Sequence, residues 1–170
     1  MQKPTILAIQ NDETDPPHLV GDWLNEIGFE IKTIHAYKGE VVPNKVPENI
    51  AALMPLGGHM GALDDHIAPW LKAERELLAD AVAQDFPIFA ICLGAQLLAA
   101  ATDGKVERMK KSEIGIFEIN AKSRDEIVDF GDKTITTQWH EDQVTKLPSG
   151  ATLLASSELC LNQKIGRAHV

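Results

Sequence analysis

The sequence predicts an α/β protein: a three-layer sandwich around a mostly parallel sheet, followed by a more β-rich second half. Three observations carry this expectation. From Thr5 to Ala101, short apolar strands alternate with helical stretches. One of those strands ends in a cysteine on a sharp turn into a helix. Beyond Lys105 the helical spacing disappears and strand-like runs follow one another through short loops. Strand–helix alternation through short turns implies βαβ crossovers, which give a parallel sheet covered on both faces.

Each element has its own signal. Thr5–Gln10 is an apolar run of strand length, and residues 11–17 form a polar, proline-bearing loop. Leu19, Val20, Trp23, Leu24 and Ile27 fall at helical spacing, with Gly28 at the C-terminal cap position. Phe29 to Ile34 alternates as a second strand, and Ile50–Met54 is a third, followed by Gly57-Gly58. Residues 43–47 are a proline-bearing loop. Trp70 to Val82 reads as a helix, Pro87 to Ile91 as a fourth strand and Ala95 to Ala101 as a helix. In the second half, Lys105–Arg108, Gly115–Asn120, Lys133–Gln138 and Ala151–Ala155 read as strands. They form either an antiparallel extension or the outer strands of a mixed sheet. No internal repeat, low-complexity tract or linker divides the 170 residues, a length suited to one domain.

Composition excludes several classes. A net charge of -9, with acidic residues scattered along the chain, argues against nucleic-acid binding, which needs a basic face. No apolar run approaches the roughly 20 residues of a membrane span, and the N-terminus lacks the apolar core of a signal peptide. Two cysteines far apart give neither a disulfide framework nor metal-ligand spacing, so no metal or cofactor is expected. The expected setting is the reducing cytoplasm, where a free thiol persists.

Cys92 is the most informative residue. The apolar stretch Ile88 to Ile91 stops at its thiol, and a helix starts almost at once. This is the layout that exposes a nucleophile above a sheet. The helix N-terminus is expected to favour the thiolate, because free N–H groups and the macrodipole stabilise negative charge. Gly94 is expected to let the backbone approach a reacting carbonyl. A buried cysteine serving as a small hydrophobe is the competing reading. The motif alone does not separate the two.

Gly57-Gly58-His59-Met60-Gly61, Ala90-Ile91-Cys92-Leu93-Gly94-Ala95-Gln96 and Gln138-Trp139-His140-Glu141-Asp142 occur together, in this order. In that set the chain resembles class I glutamine amidotransferases, above all the stand-alone, GMP-synthase-like members. Glu113-Ile114-Gly115 and the stretch 151–160 extend the likeness, which runs from Thr5 to about Gln163. The resemblance implies a flavodoxin-like sheet fold and a thiol that attacks the side-chain amide of glutamine. A γ-glutamyl thioester then forms, ammonia leaves, and water releases glutamate. It implies Cys92 as the nucleophile and the N–H groups of Leu93 and Gly58 as the oxyanion hole. Fixed donors of that kind stabilise the charge of a tetrahedral intermediate without reorganising. Gly57, Gln96, Trp139 and His140 are then the substrate-binding positions. By themselves, Gly57-Gly58 also reads as a tight turn, Gln96 as a solvent-facing residue and Trp139 as a packing residue. The family's histidine in the last tract is not the general base.

The resemblance has departures. His59 stands where the family often has proline and Ala90 where it often has glycine; the expectation for His59 is a solvent-facing side chain. The family's base lies in a C-terminal His-Pro-Glu stretch, whereas here the only histidine after His140 is His169, with no glutamate after it. Residues 165–170 match what a common sequencing adapter encodes. The expectation is therefore an amidotransferase domain over residues 1–164, incomplete at its C-terminus, with an artefact tail and no turnover as written. The expected ligand is glutamine or a γ-glutamyl compound, and an ammonia-accepting synthetase is the expected protein partner. Two other readings stay open: a γ-glutamyl peptidase or hydrolase working through the same thioester, and a non-catalytic partner-binding domain.

Overall fold

In the computed structural model, which describes residues 3–123 and 131–166, the chain divides into two compact units, Met1–Ala101 and Thr102–Val170. The first holds β1 (Thr5–Gln10), α1 (His18–Glu26), β2 (Glu30–His35), β3 (Ile50–Pro55), α2 (Trp70–Ala83) and α3 (Leu93–Ala101). The three strands form a parallel sheet in the order β2-β1-β3. Successive strand side chains point to opposite faces, and each face of this sheet has its own core. Leu7, Ile9 and Leu53 pack with Leu71, Leu77 and Leu78 of α2 and with Leu93 and Leu97 of α3. Ile6, Ala8 and Met54 face the other way, where Val20 and Leu24 of α1 cover them. That makes the three layers. No helix among the described residues is long and apolar enough to cross a membrane.

Gly28 acts as the helix stop its position suggests. With φ at +106°, its N–H reaches the Asn25 carbonyl (3.1 Å) and the Phe29 N–H reaches Leu24 (3.0 Å). This is the Schellman arrangement, which satisfies carbonyls the helix leaves free. The segment Pro87–Ile91 differs from the expected fourth strand. Only Ile88 bridges to Leu53, in parallel. Even so, Leu53 N–H donates to Pro87 (3.0 Å), Phe89 N–H to Leu53 (2.9 Å) and Ile91 N–H to Pro55 (3.0 Å). The segment follows β3 before turning at Cys92, and α3 starts at Leu93, earlier than expected.

The second unit comprises β4 (Lys105–Ala121), β5 (Lys133–Lys146), β6 (Thr152–Ser156) and β7 (Lys164–Gly166). These form a separate antiparallel sheet in the order β5-β4-β6-β7. Two expectations are corrected. Lys105–Arg108 and Gly115–Asn120 belong to one long strand whose register shifts between Arg108 and Glu113. The strand expected to end at Gln138 runs on to Lys146, so Trp139 and His140 lie within it. A long two-stranded ribbon tolerates polar residues on an open face, which hides its true length from an apolar-run reading. Ile165 and Gly166 pair with Leu153 and Thr152. The rest of the adapter-like stretch, His169 included, lies outside the described residues.

Candidate active site

The geometry of the first unit centres on Cys92. Its φ is +53°, a left-handed conformation unusual for a residue that is not glycine, and the residue is exposed. Such strain persists only where the surroundings enforce it. Here the enforcing contacts come from the neighbours of Cys92. Gly94 N–H donates to the Leu56 carbonyl (3.1 Å) and to Ile91 (2.9 Å), closing the turn against the end of β3. A Cβ at Gly94 would lie 2.3 Å from the Pro55 carbonyl oxygen. Gly94 therefore serves the close packing of the turn onto β3.

The two glycines after β3 are also forced by space. A Cβ on Gly57 would meet Asp15 Oδ2 at 2.8 Å and the Cys92 Cβ at 3.7 Å. One on Gly58 would meet Met60 Sδ at 2.7 Å and Leu93 Cδ2 at 2.9 Å. The glycine loop, the elbow and the loop after β1 thus converge, and the Leu93 and Gly58 N–H groups both donate to the Cys92 sulfur. A thiol with two N–H groups converging on it can attack a carbonyl carbon and hold the resulting oxyanion.

The expected depression of the Cys92 pKa is not what this setting produces. Although the residue opens to solvent, atoms crowded around the sulfur strip water from it and push the thiol above its usual value; Asp15 adds to this, while the Leu93 and Gly58 N–H groups pull it back. Desolvation penalises the charged form, and here it outweighs the helix terminus.

His59 is exposed, as expected of it, and its Nδ1 pairs with the Asp12 carboxylate. Asp12 also accepts the Thr14 N–H (2.9 Å), and that bond, then His59, holds its carboxyl below the usual range. Behind the glycine loop lies a buried polar chain that the sequence did not reveal. The Asn11 side chain donates to the Leu56 carbonyl and to Glu74 Oε1 (3.3 Å each), and accepts the Trp70 indole N–H (2.8 Å). Glu74 is fully buried, its Oε2 has no hydrogen-bond partner among the described residues, and desolvation pushes its pKa up to about 8.

Among the other anticipated positions, Gln96 sits in the first turn of α3, half-buried. Trp139 and His140 belong to the second unit, on opposite faces of β5. Trp139 is 75% exposed, beside Ile114 in register. His140 faces inward: an acceptor meets each ring nitrogen, Glu113 Oε2 at 2.9 Å from Nε2 and the Asp142 carbonyl at 3.0 Å from Nδ1. The other Glu113 oxygen accepts from Ser157, whose hydroxyl oxygen in turn accepts the Cys160 N–H (2.8 Å). Glu113, His140 and Cys160 present possible metal-ligand atoms within 4.8 Å of one another, from three segments whose spacing signals nothing. Hydrogen bonds already engage the carboxylate and the ring.

Sequence reasoning also missed Asp15, having left residues 11–17 as a plain loop. A signal was present, because that loop leaves the carboxyl end of β1, the middle strand. Ligands of open parallel sheets bind at that edge.

Comparison with known proteins agrees with this architecture. The family model for class I glutamine amidotransferases matches residues 24–167. A GMP synthase (glutamine-hydrolyzing) subunit from Pyrococcus abyssi is 32% identical over 160 residues, covering 91% of this chain and 78% of the relative. The corresponding subunit from Thermococcus kodakarensis is 30% identical over 169 residues, again with 91% and 78% covered. Among solved structures, a glutamine amidotransferase from Thermotoga maritima superposes with a TM-score of 0.89 at 30% identity, covering 98% of this chain and 73% of that one. The chain belongs to the class I glutamine amidotransferase family.

Proposed function

We propose that this chain is a glutaminase domain in which Cys92 attacks the side-chain amide of glutamine. The observation that carries the reading is the strained, exposed cysteine at φ +53° with the Leu93 and Gly58 N–H groups aimed at its sulfur. The Cys92 sulfur bonds to the amide carbon, and the carbonyl oxygen takes up negative charge between those two donors. Collapse of that intermediate breaks the C–N bond, and the nitrogen leaves as ammonia once it has gained a proton. Water then cleaves the thioester, giving glutamate and regenerating the thiol. Gly57 and Gln96 border the substrate in this reading.

The proton transfers need a general base, which typically contributes about 10²–10⁴-fold. Among the described residues, the groups acting on the Cys92 sulfur are two N–H donors and Asp15. His140 is committed to Glu113 and the Asp142 carbonyl. The base we propose is therefore a His-x-Glu pair of the kind the family carries, and this 170-residue polypeptide alone turns over slowly. The names of the archaeal relatives describe one subunit of a GMP synthase. By that likeness the ammonia would pass to a separate synthetase subunit, in a reducing cytoplasm that keeps Cys92 free.

The test pairs labelling with turnover. A reactive glutamine analogue is expected to modify Cys92 and to leave Cys160 untouched, as read by peptide mapping. Glutamate release is expected to be near background for this polypeptide and to rise when a His-Pro-Glu-bearing segment is appended. Label on Cys160, or on both cysteines equally, would defeat the reading.

A further inference from the structure

Asp15 lies between β1 and α1, half-buried, and its Oδ2 meets the same point over Gly57 that the Cys92 Cβ approaches, at 2.8 and 3.7 Å. No donor among the described residues bonds its carboxyl group. The charged or titratable groups facing it are Asp12, His18, His59 and Cys92. Burial, then Asp12, raises its pKa, while His18 and His59 lower it. A carboxylate beside a nucleophilic thiol is a handicap, since like charge disfavours the thiolate. The handicap disappears if the bound substrate brings its own positive charge to that carboxylate.

We propose that Asp15 anchors the α-ammonium group of the substrate, and that this contact neutralises the charge restraining Cys92. The inference rests on the glutaminase reading above and deepens it. Glutamine carries one cation, the α-ammonium; its carboxylate is repelled from Asp12 and Asp15 and must lie away from them. From the amide carbon to the α-nitrogen is roughly 5 Å by standard bond lengths, a span compatible with two contacts that meet over Gly57. A charge-assisted hydrogen bond to an otherwise unbonded carboxylate is among the stronger polar contacts available. Any γ-glutamyl compound presents the same head group, so Asp15 selects that group whatever the leaving amine. Substrate binding then lifts one of the two restraints on the thiol: the charge of Asp15 is neutralised, while the desolvation of the sulfur remains.

The experiment measures alkylation of Cys92, which needs no general base, in the full chain and in Asp15→Asn and Asp15→Glu. The reagents are a chloromethyl ketone analogue of glutamine, the same ketone without its amino group, chloroacetone and iodoacetamide. Asp15→Asn should slow the aminated ketone roughly tenfold or more and leave the des-amino ketone unchanged or faster. It should also speed iodoacetamide, because a negative neighbour of the thiol is gone. Asp15→Glu should retain the preference for the aminated ketone. A merely structural role would slow all the reagents together, and that result overturns the proposal. If the unsubstituted chain reacts with both glutamine-like ketones equally, yet faster than with chloroacetone, the Asp15 proposal fails while the glutaminase reading stands. If it favours neither over chloroacetone, both fall.

Discussion

Among the described residues, each of the two units carries one cysteine and buries one glutamate, and they arrange the pair in opposite ways. In the first, Cys92 is exposed at a strained turn with two N–H donors on its sulfur, and Glu74 lies behind the glycine loop with one oxygen unbonded. In the second, Cys160 is buried with its thiol pushed up to about 11, first by desolvation and then by Glu113, whose two oxygens are both hydrogen-bonded. The two cysteines therefore differ in exposure and backbone strain, although the residue type is the same. A satisfied glutamate locks strands together, whereas an unsatisfied one leaves a titratable weakness beside a functional loop.

The sharpest way to break this comparison is to exchange serine for each thiol. Cys92→Ser should lower turnover of a base-supplied form by roughly three orders of magnitude or more, while Cys160→Ser should keep most of it. Steady-state glutamate release reads both, and equal losses would erase the distinction between the two sites.

Next in size is the titration of Glu74. Its folded pKa, about 8, lies above the ordinary value of 4.5, so the folded state holds its proton more tightly than the unfolded chain. The stability it allows is therefore fully present below pH 4.5 and falls as pH rises to about 8, where the loss levels off. Urea titrations of Glu74→Gln against the unsubstituted chain should show a stability difference in favour of the variant that grows across this window. Its full size should be on the order of 5 kcal/mol. A difference independent of pH would mean that Glu74 does not titrate there.

Gly94→Ala tests what holds the elbow. Its Cβ would fall 2.3 Å from the Pro55 carbonyl oxygen, which is backbone and yields little. Destabilisation of about 1–3 kcal/mol should accompany slower labelling of Cys92. Gly131→Ala is the control for conformation without crowding, since φ is +66° there and an added Cβ would meet no atom of the described residues within 4 Å. Similar labelling rates in the two variants would show that the packing of the turn does not control the thiol. The smallest effect belongs to Cys160→Ala, expected to cost about 1 kcal/mol from the lost buried atoms and to leave the Cys92 labelling rate unchanged.

Much of the first unit was legible because its signals are local. Thr5–Gln10, the Gly28 stop and the turn at Cys92 are set by neighbours in sequence, and the structure reproduces them. The glycine pair after one strand and the cysteine turn after another were legible for the same reason. What stayed hidden depends on contacts far apart in the chain. Asn11 reaches Glu74 and Trp70 across 63 and 59 residues, and no spacing rule connects them. Glu113 was noticed only as part of an echo, since its partners are His140 of β5 and Ser157, just after β6. The length of β4 and β5 was masked by polar residues on alternating positions. The pKa of Cys92 was misjudged because a helix terminus can be read from sequence, while crowding and the nearness of Asp15 cannot.

The backbone of Cys92 has an evolutionary consequence. A glycine adopts φ of +53° without strain, whereas a cysteine there costs about 1–3 kcal/mol. Random change at this codon toward glycine would therefore tend to make the protein sturdier and inert. Persistence of the thiol in descendants of this chain would then measure selection for chemistry, acting against a standing drift toward a more comfortable turn.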